Sequence, residues 1–179
     1  MRDAAFTFVA FVCVAGAWAL WGLAAARRAR RNLAGVRLVT CPETGRAAAV
    51  RFDLARAART AFARDEPEAR LADCSRWAVR GPCDQACVKQ AQSPDHAVVA
   101  IIERWSADQR CALCGQALIE APLTGRHIAL LSPDGMTSDW PDVPPEELPD
   151  ALRTRRPVCW NCHIAETFRR QHPDLVTNR

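Results

Sequence analysis

Two pairs of cysteines carry the strongest chemistry in this sequence. Cys111-Ala112-Leu113-Cys114-Gly115 and Cys159-Trp160-Asn161-Cys162 are C-x-x-C elements separated by 44 residues. Each such turn directs two sulfurs to one side, and two turns face to face give the tetrahedral four-thiolate geometry that zinc prefers. Gly115, directly behind Cys114, suits a tight knuckle, because a residue of positive φ there lets backbone N–H groups aim at sulfur. Four further cysteines lie upstream. Cys83 and Cys87 form C-x-x-x-C, within the spacing of zinc ligands. Cys41-Pro42-Glu43-Thr44-Gly45 has the form of a C-P-x-C-G knuckle with Thr44 in place of the second cysteine, and Cys74 could supply the missing sulfur. Cys41, Cys74, Cys83 and Cys87 are therefore candidate ligands of a second metal site; the alternative is that some are ordinary buried cysteines. Cys13 stands apart in an apolar run and reads as a small hydrophobic residue.

The same residues admit other chemistry. Cys159, Cys162 and His163 spell C-x-x-C-H, a c-type haem attachment pattern, with Met136, His127 or His172 available as a distal ligand. That reading leaves Cys111 and Cys114 without a role and places the site outside the cytoplasm. Thiol redox or metal sensing at Cys111 and Cys114 is a third reading, although no βαβ pattern of the thioredoxin kind surrounds either C-x-x-C. Eight cysteines in a secreted domain would instead form disulfides. Enzyme chemistry has no positive sign. There is no H-E-x-x-H and no glycine-rich phosphate loop, and Ser75 and Ser132 stand in no nucleophile signature. Asp139, Glu146, Glu147 and Asp150 lie among prolines and read as a solvated face. The chain is expected not to be an enzyme, and no small-molecule substrate is evident.

Where these cysteines sit depends on the N-terminal segment. Residues 4–26 carry no charge. As a helix they would extend about 34 Å, enough for a hydrocarbon core of about 30 Å. A cleaved signal peptide could use Ala24-Ala25-Ala26, but the run is long for one and Met1-Arg2-Asp3 is weakly basic. A retained single-pass anchor is expected. Arg27, Arg28, Arg30 and Arg31 follow it directly, against Arg2 before it, so the positive-inside rule places the rest of the chain in the cytoplasm, at the cell inner membrane. That compartment is reducing, which favours metal over disulfides. The four arginines after the run also account for the net charge of +4, because Arg2 and Asp3 cancel and 19 basic and 19 acidic residues follow from Asn32 onward. A balanced body offers no footprint for nucleic acid.

The elements that must position the cysteines are short. Val36–Val39 and Ala47–Phe52 read as strands about a turn at Pro42–Gly45, and Leu54–Arg64 as a helix ended before Pro67. Asp73–Gln90 reads as loop. Ser93-Pro94-Asp95 is a helix start, with the helix running to about Ala107 and burying Val98, Ile101, Ile102 and Trp105. Arg126–Leu131 reads as a strand closed by Ser132-Pro133-Asp134-Gly135. Ala151–Thr154 follows a Pro-rich loop, and a last helix spans about Ile164–Gln171. Trp77 and Trp160 stand beside candidate ligands and should shield them; Trp140 reads as core, the alternative in its Pro-rich loop being an exposed anchor for a partner. The fold class is α+β: a single N-terminal transmembrane helix followed by a small metal-stapled soluble module. The expected organisation is an anchor over 4–26, a basic juxtamembrane linker over 27–35, a cysteine-containing strand-turn-strand with helices over 36–107, and a metal module over 108–179.

From Cys111 to Cys162 the paired C-x-x-C elements resemble the zinc-ribbon and rubredoxin-like knuckle class, which covers about a third of the chain. The resemblance implies metal binding, zinc in the first place, without choosing a biological process. It extends to no whole-chain family. Closed metal sites, an anchor and no catalytic constellation together point to a membrane-anchored, cytoplasm-facing zinc protein. Its expected role is protein interaction or scaffolding, with an unidentified protein partner. The competing class is a membrane-anchored electron carrier with covalent haem.

Overall fold

A computed structural model describes residues 2–81, 83–118 and 128–175. It is a mixed helix and sheet structure with one long apolar helix and two small antiparallel sheets. The long helix, α1, covers Arg2–Leu33, so the arginines after the apolar run continue the helix. Its stretch Phe8–Leu33 is long and apolar enough to cross a membrane, and it lies near the N-terminus, as a signal sequence would. Residues 8–18 are exposed on every face. Packing begins further on, where Gly22, Ala25, Ala29 and Leu33 recur at helical spacing and are buried.

The first sheet has the order β1-β2-β3, from β1 (Arg37–Thr40), β2 (Ala47–Phe52) and β3 (Leu71–Cys74). Along β2 the residues Ala48, Val50 and Phe52 alternate inward, as the expected half-buried strand requires. The third strand begins two residues before the expected loop at Asp73 and runs into it. Its pattern hides it: Leu71 and Cys74 are buried while the two residues between are exposed, because the pairing shifts register between Arg51 and Phe52. Helix α2 (Leu54–Arg64) matches the expected span, with the Asp53 carboxylate accepting from the Arg56 amide at 2.8 Å as N-cap. Two short helices follow, α3 (Trp77–Arg80) and α4 (Val88–Gln92).

The helix expected from Ser93 to about Ala107 is interrupted. Pro94–His96 forms one 3-10 turn, capped by Ser93, and α5 starts only at Val98 and ends at Ser106. The break has a specific cause. Ala97 bridges Arg37 in strand fashion, and the Val98 amide donates to the Val36 carbonyl at 3.0 Å, so pairing with the sheet displaces the helical bond.

The second sheet has the order β5-β4-β6, from β4 (Ala129–Leu131), β5 (Thr137–Asp139) and β6 (Arg156–Val158). The Ser132–Gly135 turn closes the β4–β5 hairpin, with the Ser132 amide on the Met136 carbonyl at 2.9 Å. Arg126 and His127 of the expected strand lie outside the described residues. β5 and β6 were not expected; three residues each, one polar and one containing Pro157, give no readable alternation. β6 is an edge strand, where a residue without an N–H is tolerated. Between them α6 (Leu148–Thr154) extends the expected Ala151–Thr154 backward by a turn, and α7 (Trp160–Gln171) begins four residues before the expected helix.

The two sheets share a core. Leu38 of β1, Ile102 of α5, Leu130 of β4 and Leu148 of α6 belong to one buried cluster, against which Trp105 and Trp140 pack. Trp105 is also fixed by its indole N–H, which donates to the Leu152 carbonyl at 3.1 Å. α2 lies against α1, where Phe62 meets Trp18 edge-on with ring centroids 5.5 Å apart. A Cβ at Gly22 would stand 2.8 Å from two Phe62 ring atoms and 3.1 Å from the Phe62 carbonyl. Gly22→Leu should therefore push α2 off α1 at a cost of about 1–3 kcal/mol, read as a lower unfolding midpoint of the detergent-solubilised protein. Gly16→Leu, where a Cβ meets nothing within 4 Å, should leave the midpoint unchanged. Equal behaviour of the two variants would show that the helices do not pack this way.

Candidate metal centre

Each cysteine of the two C-x-x-C elements is placed by a different device. Cys111 opens a knuckle: its amide donates to the Gln116 carbonyl at 2.8 Å, and the Gly115 amide returns to the Cys111 carbonyl at 2.9 Å. Gly115 has φ +71, the left-handed conformation that this return requires and that glycine adopts without penalty. The Arg110–Ala117 bridge clamps the knuckle at its base. The Ala112 amide then docks it onto β6 by donating to the Pro157 carbonyl at 2.9 Å. From β6 the chain passes through Cys159 into α7, so Cys162 falls in the first helical turn. There the helix N-terminus favours negative charge on sulfur.

The four side chains converge. The sulfurs of Cys111, Cys114, Cys159 and Cys162 all lie within 4.8 Å of one another, and those of Cys114 and Cys159 are 3.8 Å apart. A tetrahedron with metal–sulfur bonds of about 2.3 Å has edges of about 3.8 Å, so the donor set fits a zinc-sized thiophilic ion. The Cys159 amide points at the Cys111 sulfur from 3.3 Å. Such N–H···S bonds orient ligand sulfurs and offset their charge. The inner wall is apolar: Cys111 is buried with Leu118, Ala129, Leu131 and Val158, while Cys114 faces solvent.

The electrostatics are divided among the thiols. At Cys111 burial raises the pKa, but the backbone N–H groups of Cys114, Cys159 and Leu113, with the Cys114 thiol, outweigh it and bring the pKa down to about 6. Burial pushes the Cys159 and Cys162 thiols up; at Cys162 the neighbouring sulfurs add to the rise. Four thiolates this close cannot all carry charge without a cation among them, which is the usual link between metal and deprotonation.

His163 stands behind the ligand turn. Its amide donates to the Cys159 carbonyl at 3.0 Å, and its ring lies against Trp160 with centroids 5.3 Å apart. The haem pattern therefore finds its two thiols turned towards Cys111 and Cys114. Of the distal candidates, Met136 accepts from Arg170 at 3.0 Å, His172 lies against Phe168, and His127 is outside the described residues. Glu146, Glu147 and Asp150 are exposed.

The upstream cysteines also meet. Cys41, Cys74, Cys83 and Cys87 line one cavity of about 30 Å³ together with Trp77. Their sulfurs do not all lie within 4.8 Å of one another, whereas Cys83 lies that close to carboxylates of Glu43 and Asp84. The Thr44 hydroxyl above all, with backbone N–H groups of Glu43 and Thr44, holds the Cys41 thiol below its ordinary range against burial, which raises it. Burial raises Cys74 and Cys87. Cys13 is exposed on α1.

One residue with a structural part escaped the sequence reading. Arg37 is 3% exposed, yet its guanidinium reaches the Asn32, Ala34 and Ser93 carbonyls. An arginine opening an apolar strand, just after a helix end, is the only sign the sequence offers of it. No protein-family model matches the chain, and neither a curated protein nor a solved structure matches it.

Proposed function

We propose that this chain is a single-pass membrane protein whose cytoplasmic module holds a structural zinc ion at Cys111, Cys114, Cys159 and Cys162 and serves as an interaction or scaffolding unit. The observation that carries the metal assignment is the sulfur cluster, with its tetrahedral edge and its amide-to-sulfur bond. Four thiolates leave a zinc ion no open position, which speaks for a structural site and against hydrolytic chemistry. Iron in a rubredoxin-like site would use the same sulfurs. Zinc is named first because a closed tetrahedral set of four cysteines is a common form of its structural sites. The haem reading is set aside because Cys159 and Cys162 face two further sulfurs.

Zinc and fold should be coupled, since the strands around the site are three residues long and the sulfurs hold them together. Protein purified in detergent should carry zinc, and full chelation should abolish its near-ultraviolet circular dichroism and its cooperative melt. The Cys114→Ser, Cys162→Ser double variant should lose that zinc. An unchanged spectrum after proven metal removal would sink the structural role, and a ferric–thiolate absorption spectrum would replace zinc by iron.

The orientation rests on Arg27, Arg28, Arg30 and Arg31 directly after the apolar run. A protease that cannot cross the membrane should spare the module in spheroplasts and cut it in inverted inner-membrane vesicles. The opposite pattern would place the module outside and restore disulfides and haem as the leading readings.

The interaction role is supported by α7, where Ile164 and Phe168, one turn apart, are each about half exposed: 50% and 48%. Aromatic and large aliphatic side chains left open on a metal-fixed helix suit a protein partner. Mild-detergent purification should yield a stoichiometric second polypeptide. The Ile164→Asp, Phe168→Asp variant should lose it while keeping its zinc; retention of the partner by that variant would refute this use of α7.

A further inference from the structure

The knuckle at Cys111 has a counterpart 70 residues upstream. The Cys41 amide donates to the Arg46 carbonyl at 2.8 Å, as that of Cys111 does to Gln116. The Gly45 amide returns to the Cys41 carbonyl at 2.8 Å, against 2.9 Å for Gly115 and Cys111. Gly45 has φ +64 and Gly115 has φ +71. The residues flanking the two loops pair identically, Thr40 with Ala47 and Arg110 with Ala117. A hairpin turn between two strands has cheaper solutions, such as a two-residue loop. Building the same six-residue knuckle twice implies that the first serves the same purpose as the second.

The first knuckle differs at one position, where Thr44 occupies the place of Cys114. Its hydroxyl accepts from the Arg46 amide at 3.4 Å, within the same loop, so the knuckle keeps its shape with one sulfur fewer. The remaining sulfurs come from two other elements. Cys74 ends β3, opposite Val50, and is buried. Cys87 opens α4 and is buried, with Cys83 four residues before it. Between these two, Gln85 is held at φ +60, a conformation uncommon outside glycine, and its side-chain carbonyl accepts from the Leu71 amide at 2.9 Å. That bond ties the Cys83–Cys87 loop to the strand that carries Cys74. A strained residue fixed by a bond to the neighbouring strand marks a loop with a required shape.

We propose that Cys41, Cys74, Cys83 and Cys87 form a second four-thiolate site for a zinc-class cation, built on a knuckle that duplicates the one at Cys111. The cavity they line, about 30 Å³, has room for a single ion or one water molecule. Ligation draws the four sulfurs inward to within the 4.8 Å that the downstream set already spans. Glu43 and Asp84, beside Cys83, stand at the rim and add negative potential at the entrance. The site is independent of the downstream one, because no ligand is shared.

The test is metal counting on the full chain in detergent, with zinc and then with cobalt as a spectroscopic probe. The wild type should bind about two ions, each giving the intense visible bands of tetrahedral cobalt and the sulfur-to-cobalt charge transfer of thiolate ligation. Cys83→Ser with Cys87→Ser should reduce the count from two to one. Cys114→Ser with Cys162→Ser should do the same by removing the other ion. A wild type that binds one ion, lost only with the Cys114 and Cys162 pair, overturns this inference and leaves the downstream site intact. A wild type that binds one ion, lost only with Cys83 and Cys87, overturns the downstream assignment instead. Should either double variant fail to fold, the cobalt titration of the wild type decides alone: a break at one equivalent overturns the second site, and a break at two equivalents with four-sulfur spectra upholds it.

Discussion

The Cys159 amide faces the Cys111 sulfur at 3.3 Å, and the C-terminal half of the chain is arranged around that contact. It requires β6 to arrive edge-on to the knuckle, which the Ala112–Pro157 hydrogen bond enforces, and α7 to begin one residue later. Strands of three residues have little stability of their own. The second sheet consists only of such strands, so its persistence rests on what closes its end and on the core behind it. Val158 stands at the junction, fully buried, with one neighbour in the chain pointing to the sulfurs and its own side chain in the apolar cluster.

The two halves are joined by burial. Ile102 and Leu130, both 0% exposed, bring α5 and β4 together over Leu38 of the first sheet. Arg37 complements this junction from the side. Its guanidinium binds the carbonyls at the end of α1 and one at the start of the 3-10 turn, so a buried cation is met by the negative end of a helix and by backbone dipoles. Burial alone lowers its pKa, the expected direction for a cation removed from water. Those bonds order the segment in which Ala97 leaves the helix to bridge β1.

The cysteines were the legible part. Spacing alone grouped Cys111, Cys114, Cys159 and Cys162, and Gly115 announced its positive φ. The first hairpin and α2 were legible for related reasons: alternation in β2, a turn of proline and glycine, and Asp53 before an alanine-rich helix. What could not be read was non-local. β3 breaks alternation because of a register shift in its partner, and the interruption at Ala97 comes from pairing with residues 60 positions away. The loss of a ligand at Thr44 was visible, but the identity of backbone geometry between the two knuckles was not. β6 carries Pro157 and was hidden by it, although that same proline supplies the carbonyl on which the knuckle rests.

The contact between α1 and α2 bears on how the protein moves. With α2 docked along α1 from Trp18 onward and the helix unbroken through Leu33, the apolar segment runs directly into the folded part. On the proposed reading of α1 as a membrane span, the arginines of α2 stay in water, so the hydrocarbon would end near Trp18 and Trp21, side chains suited to the headgroup boundary. The body would then be mounted flush, with a reach of only its own radius. Anchored in that way, the protein would search in two dimensions, turning about a single axis, and would present one fixed latitude of its surface to anything else held at the same membrane.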